Sequence, residues 1–136
     1  MSVFALDSNI ISFLLKENAT VIKNIEKALS ENHKIIITPI AYYEVKRGLL
    51  LINATKQLNR FLEFCDLFEI GELSINHFDE AIRIYVKGRK EKRNTEDADI
   101  LIAAFCIYNN YILVTDNTKH FRSIDNLQII NWSNSD

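Results

Sequence analysis

Apolar and polar positions follow two periods along this chain, and their succession lays out strands and helices. Val3, Phe4, Ala5 and Leu6 form a short apolar run ending at Asp7, the pattern of a buried strand, and "SNIISFLLK" leaves it with helical character. "TVIKNIEKALSEN" sets Val21, Ile22, Ile25, Ala28 and Leu29 at helical spacing, and the polar cluster after them closes the helix. "KIIIT" is a second buried strand, with Pro39 where a helix can begin, because a first helical turn does not need the N–H that proline lacks. "AYYEVKRGLLLI" and "KQLNRFLEFCDLF" continue as helices, "EIGELS" as a brief strand, and "INHFDEAIRIYVKGRKEKR" as a long helix with a basic end. After "NTED" come the helix "ADILIAAFCIYNN", the strand "YILVT", a short turn or helix "NTKHF" and a last strand "LQIINW".

Short β-branched strands alternating with helices predict an α/β fold, a mostly parallel central sheet flanked by helices. One proline and three glycines leave little room for linkers, so residues 1–132 are expected as one domain and "SNSD", 133–136, as a frayed tail. Parallel sheets of this kind place ligands beyond the carboxyl ends of their strands. Asp7 falls at such an end, and so do Thr115, Asp116 and Asn117.

Three carboxylates then need an explanation. Asp7 or Ser8 can cap the helix that follows, since either side-chain oxygen can accept from the unpaired N–H groups of a first turn. Helical projection puts Glu44 on the stripe of Ile37, Ile40, Ala41, Val45 and Gly48, where a desolvated carboxylate needs a cation, a metal or a raised pKa. With Asn94 or Thr95 as cap, Glu96 and Asp97 occupy a first turn whose dipole favours them. Asp99 lies beyond that turn and shares a face with Ile102, Ala103 and Cys106. A distant basic partner is the plain alternative for both Glu44 and Asp99. Converged at one mouth, Asp7, Glu44 and Asp99 would form an oxygen-rich site for Mg²⁺ or Mn²⁺, able to polarise a phosphoryl oxygen and acidify a water. Asn117 could orient water or bind metal, Asp116 is a further ligand or a turn residue, and Asn9 bonds Asp7, the substrate or its own helix start.

Composition adjusts this picture in a few places. The 136 residues are 48% hydrophobic and 25% charged, ordinary for a globular domain able to bury a core. A formal charge of −2 and a pI near 5.9 argue against a generic polyanion binder. "KGRKEKR", residues 87–93, carries +4, which leaves the rest of the chain at −6. Arg89, Lys90, Lys92 and Arg93 are therefore candidates for tracking a nucleic-acid backbone, or simply a solvated helix end. Cys65 and Cys106 lie in apolar helical patterns without ligand spacing and read as core. No signal-peptide pattern and no membrane-length apolar run is present, so the cytoplasm is the expected location.

"LDSNIISFLL", "AYYEVKRGL", "DADILIAA" and "LVTDNTKHF", in this order, resemble PIN domains and, within them, the VapC-type toxins of bacterial toxin–antitoxin pairs. The resemblance implies that Asp7, Glu44 and Asp99 are the acidic site, with Asn117 at a fourth position that is an aspartate in many PIN domains. It also implies Mg²⁺- or Mn²⁺-dependent endoribonuclease activity on loops of transfer or ribosomal RNA, arrest of translation, a homodimer, and inhibition by a small VapB-type antitoxin. Attack by water on phosphorus would leave 5′-phosphate and 3′-hydroxyl ends, because the 2′-hydroxyl is not then the nucleophile. His33, His77 and His120 offer no pair at useful spacing, and His120 is a surface residue or a substrate contact. A receiver-type phosphoacceptor domain also clusters acids, but "KIIIT" ends without one. A catalytically silent PIN-like module acting through protein assembly is the alternative.

Overall fold

A computed structural model describes residues 1–134. The chain runs β1 (Val3–Leu6), α1 (Ser8–Leu15), α2 (Ala19–Ser30), β2 (Lys34–Ile37), α3 (Pro39–Leu51), α4 (Thr55–Phe68), α5 (Ile75–Lys90), α6 (Asp97–Asn109), β3 (Ile112–Val114), α7 (Thr118–Phe121) and β4 (Ile129–Ile130). The strands form one sheet in the order β2-β1-β3-β4, every pair parallel. The expected α/β architecture is therefore present.

Successive strand residues point to opposite faces of a sheet, and both faces here are covered by helices. Leu6, Ile35, Ile37 and Val114 pack with α1–α4 in one core. Ala5, Ile36 and Leu113 pack with α5 and α6 in the other, around Phe105 and Phe121. Burial of each such phenylalanine is worth roughly 1.5–3 kcal/mol. The chain crosses from β1 to β2 on one side of β1 and later returns to β3 on its other side. The crevice at this reversal opens beyond the carboxyl ends of β1 and β3, where α/β sheets receive ligands.

Several elements are shorter than the pattern suggests. "EIGELS" contributes only a bridge between Ile37 and Ile70, because packing sets the course of this segment: a Cβ on Gly71 would lie 2.3 Å from the Phe105 ring. α5 stops at Lys90, Lys92 takes a left-handed φ of 60°, and the Arg93 N–H closes onto the Gly88 carbonyl at 2.7 Å. "LQIINW" supplies two strand residues, after which Trp132 folds onto Phe4 with ring centroids 4.8 Å apart. Of the tail expected at 133–136, Ser133 hydrogen-bonds Asn131, and residues 135–136 lie outside the described residues. Among the described residues no helix is long and apolar enough to cross a membrane.

Candidate active site at the carboxyl ends of the central strands

Asp7 follows β1 directly and is 3% exposed. Its two oxygens have different duties. Oδ1 accepts from the Ser8 N–H at 2.8 Å, capping α1 as the sequence suggests. Oδ2 accepts from the Thr115 hydroxyl at 2.8 Å and from the Asn9 amide at 3.2 Å. The Asn9 amide also reaches Thr115 Oγ1 at 3.2 Å, and its oxygen accepts from the Asp116 N–H at 3.0 Å. The Asn117 N–H in turn donates to Thr115 Oγ1 at 3.1 Å. Capping thus accounts for half of Asp7, while the other half is locked to the end of β3. Burial still pushes its carboxyl above the usual carboxylate range against these three donors, and Asp116 adds to the rise.

Glu44 reaches the same mouth from α3. The Thr38 N–H donates to the Leu6 carbonyl at 3.3 Å and its hydroxyl caps α3 at Ala41, so α3 starts in fixed register with the end of β1. Ala41, Val45 and Leu49 face the core, Glu44 stands half-buried beside them, and Gly48, expected on the same stripe, is exposed. Glu44 makes no ion pair among the described residues. Its carboxyl is pushed up by burial first and then by the charge of Asp7, with Ser8 and Arg47 offsetting part of the rise.

Asp99 corrects one sequence argument. α6 begins at Asp97 with Glu96 as the extended residue before it, not at Asn94 or Thr95, so Asp99 sits in the first turn. The dipole there favours a carboxylate. Asp99 nevertheless faces inward, half-buried, and burial raises its pKa, as does Asp7. His120, on α7, brings Nδ1 to 3.4 Å from Asp99 Oδ2 and opposes that rise. A partner for Asp99 therefore exists, and it is the histidine left open between a surface residue and a substrate contact. Its position within the strand-end segment "VTDNTKHF" was the hint of the site. Ser8, beside Glu44, was read only as a possible cap.

Asn117 is exposed at the start of α7, and its side chain makes no capping bond. Asp116 is half-buried, with Oδ1 enclosed and lacking a hydrogen-bond partner. The four basic candidates do not share one face. Arg89 lies over the Tyr85 ring, Lys90 stands with Arg83 and Lys87 on the outer side of α5, and Lys92 is exposed in the turn. Arg93 alone reaches the neighbourhood of Asp99, where it bonds the Ser123 carbonyl and pairs with Glu91 at 3.2 Å.

Asp7, Glu44 and Asp99 raise one another's proton affinity across a shared mouth, the behaviour of acids gathered without a matching cation. Among the described residues, no three acidic, histidine or cysteine side chains stand close enough to grip one ion directly. An all-oxygen donor set at this looser spacing fits a hard ion such as Mg²⁺, which keeps several waters and takes one or two carboxylates rather than a full protein cage.

Two hollows border the acids. A groove of about 320 Å³ runs from Ser8 and Glu44 between α1, α3 and α4, floored by Leu15, Val45 and Leu49. A cleft of about 310 Å³ opens on the other side of the mouth from Asp99, walled by Arg93, Thr95, Lys119, His120 and Ser123.

Comparison with known proteins agrees with this architecture. Residues 4–127 match the PIN domain. The chain is 26% identical over 136 residues to ribonuclease VapC1 of Haemophilus influenzae strain R2866, covering 96% of this chain and 98% of that protein. It is 27% identical over 135 residues to ribonuclease VapC2 of Rickettsia felis, with the same coverage. Its fold superposes with a TM-score of 0.88 on a chain of the VapBC2 complex of Rickettsia felis bound to a promoter DNA fragment, at 25% identity over 96% of this chain and 98% of that one. A chain of DNA-bound VapBC from Salmonella typhimurium shares the fold at a TM-score of 0.87 and 19% identity, over 97% of this chain and 99% of that one. The parallel sheet, the acids at its switch point and the match over most of the length agree: this chain belongs to the PIN-domain family and resembles its VapC ribonucleases.

Proposed function

We propose that this chain is a VapC-type endoribonuclease toxin, cutting loops of transfer or ribosomal RNA and so arresting translation in the cytoplasm. The observation that carries the reading is the shared mouth of Asp7, Glu44 and Asp99, desolvated together, with His120 beside Asp99 and Arg47 offsetting part of the charge at Glu44. Those three acids would hold Mg²⁺ or Mn²⁺, directly or through water. A divalent ion supplies a Lewis acid for the phosphoryl oxygen and lowers the pKa of water. The protein's part is positional. Thr115 and Asn9 fix the Asp7 carboxylate, Thr38 fixes the approach of α3, and Asn117 stands at the rim where it can orient water or substrate. Hydrolysis by water leaves 5′-phosphate and 3′-hydroxyl ends.

A VapB-type antitoxin is the proposed inhibitor, since several structural relatives are chains of VapBC complexes. The groove beside Glu44 suits it, offering an apolar floor to an apolar segment and a carboxylate to a basic side chain. A homodimer is proposed through α5, whose outer face exposes Ile75, Phe78, Ile82, Tyr85 and Val86. Asp79 lies toward the start of α5 and Lys90 toward its end, so two antiparallel copies would match opposite charges.

The test is induction in cells of the native chain and of Asp7→Asn, with sequencing of newly formed RNA 5′ ends. Growth arrest with a dominant cleavage site that is lost in the variant supports the reading. Absence of Asp7-dependent ends, with the purified protein inert in Mg²⁺ and Mn²⁺, would leave the silent assembly module instead.

A further inference from the structure

We propose that the cleft between the start of α6 and α7 binds the backbone of the RNA strand beside the acidic site, with Lys119 as the phosphate-binding residue. The inference rests on the ribonuclease reading and adds to it where the strand lies.

The argument begins with which cations are free. Among the described residues Lys119 makes no ion pair, although it lines the cleft that opens from Asp99. Arg93, at the opposite wall, is committed elsewhere: its guanidinium bonds the Ser123 carbonyl and pairs with Glu91. Lys87 likewise pairs with Asp125. These contacts tie both the α5–α6 turn and the segment after α7 into one frame. These ties frame the cleft, and Lys119 stands on it as an uncommitted ammonium.

Lining, not net charge, distinguishes two paths for the strand: Lys16 stands with Glu44 in one hollow, and Arg93 and Lys119 with Glu96 and Asp99 in the other. A polyanion leaving the acidic mouth has two ways out. The groove between α1, α3 and α4 offers an apolar floor and the single cation Lys16. The α6–α7 side offers Lys119 and the imidazole of His120, with hydroxyl and amide groups of Thr95, Asn94 and Ser123 between them. Glu96 and Asp99 are the anions on that side; Asp99 belongs to the acidic site itself, and Glu96 is exposed to solvent. Single-stranded nucleic acid is held by cationic grooves along its backbone together with flat side chains on which bases stack. The α6–α7 cleft has both elements, since His120 presents a largely exposed ring beside Lys119.

The test is binding of a labelled, random-sequence single-stranded RNA pool, followed by fluorescence anisotropy across a salt series in an Asp7→Asn background that does not cut. Lys119→Ala is expected to weaken binding several-fold and to flatten the salt dependence by about 0.7 in log–log slope, the share of one phosphate contact on a single strand. Lys119→Arg should restore both. Lys23→Ala, exposed on α2 away from both hollows, should change neither. An unchanged affinity and slope in Lys119→Ala, or an equal loss in Lys23→Ala, would overturn the proposal. In parallel the native chain is assayed for Mg²⁺-dependent cleavage of bulk transfer RNA. Cleavage by the native chain together with parent-like binding in Lys119→Ala removes only this inference, whereas a native chain that neither binds nor cuts RNA removes the ribonuclease reading with it.

Discussion

The two hollows flanking the acids are nearly equal in size and opposite in character. One is floored by Leu15, Val45 and Leu49 between three helices; the other is walled by Lys119, His120, Thr95 and Ser123 and framed by Arg93. The three carboxylates form the boundary between them. The difference shows how one small site can answer to two unlike partners. Glu44 lines the first hollow and Asp99 the second, and the charge of Asp7 acts on both acids.

Neutralising the boundary itself has the largest expected effect. Asp7→Asn, Glu44→Gln and Asp99→Asn should each lower Mg²⁺-dependent RNA cleavage by about 10²-fold or more, in the range seen when a charge-stabilising group is removed from a reaction site. Equal activity in any of the three would remove that acid from the site. Stability should move the other way. A carboxyl whose folded pKa lies above its unfolded value favours the fold while it is protonated, and that contribution is lost as pH rises through the folded pKa. Without divalent ions, the native chain should therefore lose stability relative to Glu44→Gln as pH rises from the ordinary carboxylate range through the raised values. Thermal melts of the two proteins between pH 4 and 8 (roughly) check this, and parallel curves would contradict it.

Thr115→Val sharpens the comparison just past β3, where the hydroxyl holds Asp7. It removes the hydroxyl that donates to Asp7 and accepts from Asn9 and Asn117, without changing shape. The expected cost is about 1–3 kcal/mol in denaturant unfolding. Cleavage should fall about 10–100-fold, as when an outer partner that orients a metal ligand is lost. Wild-type activity would mean that Asp7 is oriented by its helix cap alone.

The smallest expected effect separates the hollows. Gly48 lines the apolar groove, is exposed in the middle of α3, and has nothing within 4 Å of an added Cβ. Gly48→Ala should stabilise the protein by about 0.5–1 kcal/mol, since glycine is a poor helix former. Gly48→Trp should obstruct the groove, weakening inhibition by the cognate antitoxin while RNA cleavage stays at the native rate. Loss of cleavage in that variant would show that RNA uses the apolar groove as well.

Much of this arrangement was legible in the chain. The continuous apolar runs at Val3–Leu6 and at Ile35, Ile36 and Ile37 announced a sheet buried on both faces, and the alternation with helices announced its parallel order. Glu44 stood out because helical projection set it against an apolar stripe, and it is half-buried in the fold. Asp99 stood out for a partly mistaken reason. Its helix starts at Asp97, because a cap is chosen by backbone conformation at Glu96 and not only by the side-chain chemistry of Asn94 and Thr95. Lys119 was not legible as a site residue, and His120 only as a substrate contact set against a surface position, since a four-residue helix carries no periodic signal. The basic run 87–93 read as one surface, yet the left-handed turn at Lys92 sends its residues to different faces.

The most direct measurement of the central claim is end-group analysis of RNA cut by the purified chain with Mg²⁺, with EDTA, and with Asp99→Asn. The account expects 5′-phosphate and 3′-hydroxyl ends that require the divalent ion and disappear in the variant. Fragments ending in 2′,3′-cyclic phosphate, or cleavage that persists in EDTA, would contradict it.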